Sequence, residues 1–152
     1  MDKERLTILK AEVEAQAGEI ENIYAKIEKR TAEKGIAALE SVAYQLHNLY
    51  CAFEDLFNII ADAFENHIHD KRQYHTELLK RMSISIEGIR PSLLSRESYI
   101  LLDNLRSFRH LFRHAYAYEL DPRKVQIVVE DAAKLKAICR KDIDAFLNAL
   151  IE

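Results

Sequence analysis

Apolar residues recur every three or four positions along almost the whole chain, a rhythm that buries one face of an α-helix and suits little else. Leu6, Leu9, Val13, Ile20, Tyr24 and Ile27 carry it from Asp2 to about Glu33. Lys29, Arg30 and Lys34 stand there where cations favour a helix C-terminus, and Gly35 offers a stop. A second series, from Ile36 through Leu46, Tyr50, Phe53 and Phe57 to Phe64, describes a long helix with a broad apolar stripe, the expected centre of the core. With only three Gly and two Pro in 152 residues, breaks are few and each should mark an end.

The rhythm pauses at Asn66 to Asp70, NHIHD, where Asp70 and Gln73 have the spacing of an N-cap and its capping-box partner. A third helix is expected from Lys71 to about Glu87, presenting Tyr74, Leu78, Met82 and Ile86, and ended by Gly88 and Pro91. Ser92 or Ser95 can cap a fourth, running through Tyr99 to Ala115. Asp121 followed by Pro122 gives the clearest start signal, for a fifth helix from Arg123 to Leu150. No repeat or linker divides these segments, so residues 1–152 are expected to form one all-α domain, an up-and-down bundle of four to five helices.

The formal charge of −3 means that attraction to nucleic acid must come from a local patch. Cys51 and Cys139 lack CxxC or metal-type spacing and read as reduced, buried thiols. The opening MDKERLTILK has no apolar core of a secretory signal, and no apolar run approaches the roughly 20 residues of a membrane span. A cytoplasmic protein with no membrane association is the expectation.

Unusual chemistry is concentrated between Leu105 and Asp121, LRSFRHLFRHAYAYELD. Counted at about 100° per residue, Arg106, Arg109, His110, Arg113 and His114 share an arc of roughly 140°, while Leu101, Leu105, Phe108 and Phe112 occupy the adjoining side. A solvated amphipathic face is the ordinary explanation of such an arc. Exposed faces normally interleave Glu with Lys, however, whereas here Asp103 is the one counter-charge and the cations are Arg and His. Arginine forks onto phosphate oxygens and histidine exchanges protons near neutral pH, which together point to phosphodiester chemistry. His67, His69 and His75 lie close in sequence, but without carboxylates or thiols at set spacing they give no metal signal. No metal or other cofactor is expected.

The segment RSFRHLFRHAYAYELD resembles the signature of the HEPN superfamily, and most closely of HepT-like ribonuclease toxins. Their motif is an Arg, a polar residue, a few further positions and a His, commonly followed two residues on by Tyr; here these are Arg109, His110, His114 and Tyr116. HTELLKRM at His75 to Met82, RPSLLSRES at Arg90 to Ser98 and ELDPRKV at Glu119 to Val125 extend the similarity from Leu46 onward. The resemblance implies a metal-independent endoribonuclease, homodimeric, with catalytic Arg109 and His114 meeting across the interface. It also implies restraint by an antitoxin with a minimal nucleotidyltransferase fold, which in related systems attaches AMP to the motif tyrosine, here Tyr116. The family usually has Asn or Asp after the Arg, so His110 is a departure and its role stays open.

The residues support that chemistry independently. Attack of a 2′-hydroxyl on the neighbouring phosphorus needs a base, an acid and a cation beside the phosphate. His114 can be base or acid and Arg109 can stabilise the phosphorane, but one imidazole does not serve both proton transfers in a single turnover. His114 from each of two subunits, or His110, would complete the set. Arg109 and His114 lie about 140° apart on one helix, so convergence is easier across a two-fold axis, or if the helix frays near Ala115. Arg106, His110 and Arg113 are expected to contact RNA or the interface. The alternative is a non-catalytic helical module whose basic face docks a protein partner or nucleotide.

Overall fold

The computed structural model describes residues 1–64, 73–114 and 119–151, and there the chain is an all-α bundle. Its helices are α1 (Lys3–Thr31), α2 (Ile36–Phe64), α3 (Tyr74–Met82), α4 (Arg96–Arg113) and α5 (Pro122–Ile151). Asp2 starts α1 by accepting the Arg5 backbone N–H at 2.8 Å, and Gly35, at φ +105°, makes the turn into α2 that a side chain would strain. As its stripe predicts, α2 is the central element. It packs against α1, α3, α4 and α5, and it buries Leu46, Leu49, Tyr50, Phe53, Leu56 and Phe57 almost completely. Each such side chain contributes roughly 1.5–3 kcal/mol of transfer free energy, so this one helix supplies much of the drive to fold.

Two further helix starts follow directly from the local sequence. The Ser95 hydroxyl accepts the Ser98 backbone N–H at the head of α4 and donates to Asp142 on α5 at 3.0 Å, which ties the two helices at one end. Asp121 accepts the Arg123 backbone N–H at 2.9 Å, and its own backbone carbonyl accepts from Val125. That first bond, more than the Arg123 side chain, holds the Asp121 carboxyl below the usual carboxylate range. Across the bundle, Tyr24 on α1 donates to the Ala132 carbonyl on α5 and Arg140 on α5 grips Glu14 on α1.

The third helix corrects the expectation. It begins at Tyr74 with Gln73 at its N-cap, and it ends at Met82, not near Glu87. The Asp70 cap expected from sequence lies outside the described residues. The early stop has a polar cause. The Ser83 hydroxyl donates back to the Lys80 carbonyl, which competes with continuation of the helix. Arg90, only 4% exposed, then reaches back to donate to the carbonyls of Arg81, Ile84 and Pro91. Ile86, expected on the helix stripe, instead exchanges backbone hydrogen bonds with Arg90 across a tight reversal that uses Gly88 at φ +79°. This folded-back segment seats α3 beside α2 and α4, the arrangement on which the polar cluster below depends.

Both cysteines are free, and they are half-buried, not fully buried as expected. Burial pushes the Cys139 thiol up to about 11, so it stays protonated at neutral pH. Among the described residues, no helix is long and apolar enough to cross a membrane.

Candidate functional site

Leu101, Leu105 and Phe108 point into the core, with Phe112 partly buried beside them, and this fixes the rotation of α4. The cationic arc then follows as a consequence of geometry. Arg106 and Arg109 are half-buried at the seam with α2, whereas His110, Arg113 and His114 are exposed. Asp103 takes Arg106, at 2.9 Å to both Nε and Nη2, which matches its position as the counter-charge at one end of the arc. The helix ends at Arg113, two residues short of the run to Ala115 expected from sequence. His114 is the C-cap, at φ −109° and ψ 9°, so its side chain leaves the helical wheel; its ring centroid lies 4.7 Å from that of His110. Tyr116, Ala115, His67 and His69 lie outside the described residues.

Arg109 is unlike the other cations of the arc. Its Nε is buried and has no hydrogen-bond partner among the described residues, and its Nη1 lies 3.5 Å from Nε2 of His75 on α3. On the other edge of that ring, Nδ1 is 2.6 Å from Oε2 of Glu54, a carboxylate on α2 that is only 6% exposed. Three helices therefore contribute one group each to a short polar row, Glu54, His75, Arg109. Because an arginine only donates, the imidazole nitrogen facing it is the acceptor and Nδ1 carries the proton toward Glu54. Tyr74, the neighbour of His75, donates from its hydroxyl to Asn58 at 2.8 Å, which holds the first turn of α3 against α2. Beneath the row the Tyr50 hydroxyl is buried near Glu54. Burial first, and the Glu54 charge second, push that phenol far above its usual range, so it stays protonated.

His47, also on α2, lines the other side of Arg109, its ring 5.6 Å from that of Phe112. Burial lowers its pKa, Asn48 opposes the shift, and the positive charges of Arg109 and Arg113 add to it. His47 is thus a neutral wall beside the arginines at neutral pH.

The chain brings Arg109 together with His75 and Glu54, and His114 together with His110. Within one copy the Arg109 guanidinium is turned toward α3, while His114 is exposed at the end of α4. The sequence reading gives His75 no metal signal and no other role, and it singles out none of Glu54, Tyr50 and His47 for chemistry. A signal for Glu54 was present: it stands one helical turn after Tyr50, on the buried stripe of α2, and a carboxylate on such a face must find a partner. Nothing in the sequence named that partner.

The family described as HepT-like protein matches residues 41–150. Among curated proteins and solved structures, nothing matches the chain. The matched stretch covers more than half of the molecule and takes in α3, α4 and every charged group of the cluster, and on this basis the chain belongs to the HepT-like proteins of the HEPN superfamily.

Proposed function

We propose that the protein is a metal-independent endoribonuclease toxin of a toxin–antitoxin pair, acting as a homodimer in the cytoplasm. Arg109 binds and neutralises the scissile phosphate, and His114 of the partner subunit performs one of the two proton transfers. The observation that carries this reading is the state of Arg109. Its residue is half-buried, no carboxylate is paired to it among the described residues, and Nη1 makes only a long 3.5 Å approach to His75. An arginine without a carboxylate partner can meet an anion through its Nη groups, and these suit phosphate oxygens. Arg113, His110 and Arg106 extend the positive surface along the incoming strand. This local field offsets a molecule that is acidic overall. The restraining partner is a minimal nucleotidyltransferase, and transfer of AMP to Tyr116 would add bulk and negative charge just beyond His114. Family membership supports the toxin–antitoxin setting, and the cationic seam supports RNA as substrate.

The test is incubation of the purified protein with RNA under chelation. Products ending in a 2′,3′-cyclic phosphate are expected, and both Arg109→Ala and His114→Ala should abolish them while circular dichroism stays unchanged. Cleavage that persists in both variants overturns the proposal. Tight RNA binding without any turnover would instead favour a non-catalytic docking module.

A further inference from the structure

His114 leaves one proton transfer without an agent, and the row beside Arg109 holds a group suited to it. We infer that His75, aligned by Glu54, is a catalytic residue that accepts the proton of the attacking 2′-hydroxyl. The inference rests on the nuclease reading and supplies its missing base.

Three features of the geometry carry it. First, Glu54 is buried and bonded to Nδ1 at 2.6 Å, which fixes both the ring orientation and the tautomer and leaves the Nε2 lone pair facing Arg109. Second, that lone pair lies 3.5 Å from Arg109 Nη1, a long contact that an anion can displace. A phosphate oxygen accepted by Arg109 at about 2.8 Å would sit beside the imidazole, with the adjoining 2′-hydroxyl in reach of Nε2. Third, the His75 side chain is 36% exposed whereas Glu54 is 8% exposed, so the base is open to substrate while its orienting carboxylate is shielded. A purely structural role explains the row less well. Among the described residues no carboxylate is paired with Arg109; the group it approaches is an imidazole whose other edge is bonded to Glu54. Among the described residues, the groups that face His75 are Glu54 from α2, Arg109 from α4 and its own neighbour Tyr74.

The step balances as follows. His75 Nε2 takes the proton as the 2′-oxygen bonds to phosphorus, and the phosphorus–O5′ bond breaks. The departing O5′ takes a proton from His114 of the partner subunit. The products are a 2′,3′-cyclic phosphate and a 5′-hydroxyl, and the two histidines return to their starting states by exchange with water.

Wild type, His75→Ala, His75→Gln and Glu54→Gln are compared on one RNA under chelation. A 2′-deoxy-substituted RNA that cannot be cut reads binding. His75→Ala should lower cleavage about 10²-fold or more with binding within about two-fold, and it should remove the acidic limb of a bell-shaped pH profile. His75→Gln, which keeps an amide to bond Glu54, should lose cleavage equally and guards against an unfolded alanine variant. Glu54→Gln should slow cleavage less and change the His75 tautomer seen by ¹⁵N NMR. Mixing His75→Ala with His114→Ala should restore activity, because intact groups then meet across the interface. Mixing His75→Ala with Arg109→Ala should not, because both belong to one chain's half of the site. Unchanged cleavage or an unchanged pH profile in the His75 variants overturns this inference and leaves the nuclease standing. A wild-type protein that never cleaves RNA overturns both.

Discussion

The His47 ring stands on α2 against Phe112 and beside Arg109 and Arg113, a place where a positive charge is costly on two counts. Burial is the larger and the arginines add to it, so its folded pKa lies below the ordinary histidine value of 6.5. The direction sets a pH dependence of stability. Above 6.5 the ring is neutral in both states and stability is unaffected. As pH falls from there toward the lowered folded value, the unfolded chain binds the proton more readily, so stability is lost; below the folded value the loss levels off. Urea midpoints measured on either side of 6.5 should therefore fall with acidification in wild type, and fall less in His47→Gln. Equal losses in the two proteins would show that the ring's surroundings do not oppose its charge. The same residue illustrates the reach of the sequence. The cationic arc of α4 was legible because its members share one helix and can be placed by counting. His47, Glu54 and His75 were not, because their significance arises only when three helices meet. Glu54 and His75 stand 21 positions apart with no local pattern linking them.

At the scale of elements, the legible boundaries are those set by neighbours in sequence. Ser95 and the Asp121–Pro122 pair act within three residues, so their helices start where expected. The end of α3 depends instead on Arg90, which comes eight residues after Met82 in the chain and folds back onto the helix it terminates. Helical periodicity alone carried the expected helix past that point, since Ile86 continues the stripe. Arg90 has a testable weight. Its buried guanidinium donates to three carbonyls, of which that of Arg81 also accepts from the Ile84 N–H, and each acceptor left unsatisfied costs about 1–3 kcal/mol. Arg90→Leu keeps the apolar stem and removes the donors, so it should destabilise the fold by about 3 kcal/mol. Denaturant unfolding monitored by circular dichroism checks this. The loss of α3's anchorage should also displace His75, and cleavage should fall by more than the folded fraction alone explains. A variant as stable as wild type would mean that water replaces the guanidinium without cost.

For the whole molecule, the proposed nuclease turns on how groups on one helix with different bearings would reach one phosphate. Arg109 turns inward toward α3 and His75; His114 caps the far end of α4 and is exposed beside His110. A two-fold axis near the end of α4 would place the exposed histidine of each copy over the arginine row of the other, giving two equivalent sites per dimer. That arrangement makes a quantitative prediction that a site confined to one copy does not. In a mixed dimer of Arg109→Ala and His114→Ala, one site combines both defects and the other combines an intact arginine with an intact histidine. After random exchange at equal concentrations about half of the dimers are mixed, and each has one working site of two, so activity should return to about a quarter of wild type. Each variant alone should stay inactive. Recovery should also depend on total protein concentration, because it requires dimers to form. If mixing restores nothing while both variants remain folded and dimeric, Arg109 and His114 serve the same copy, and the site must be rebuilt within a single bundle.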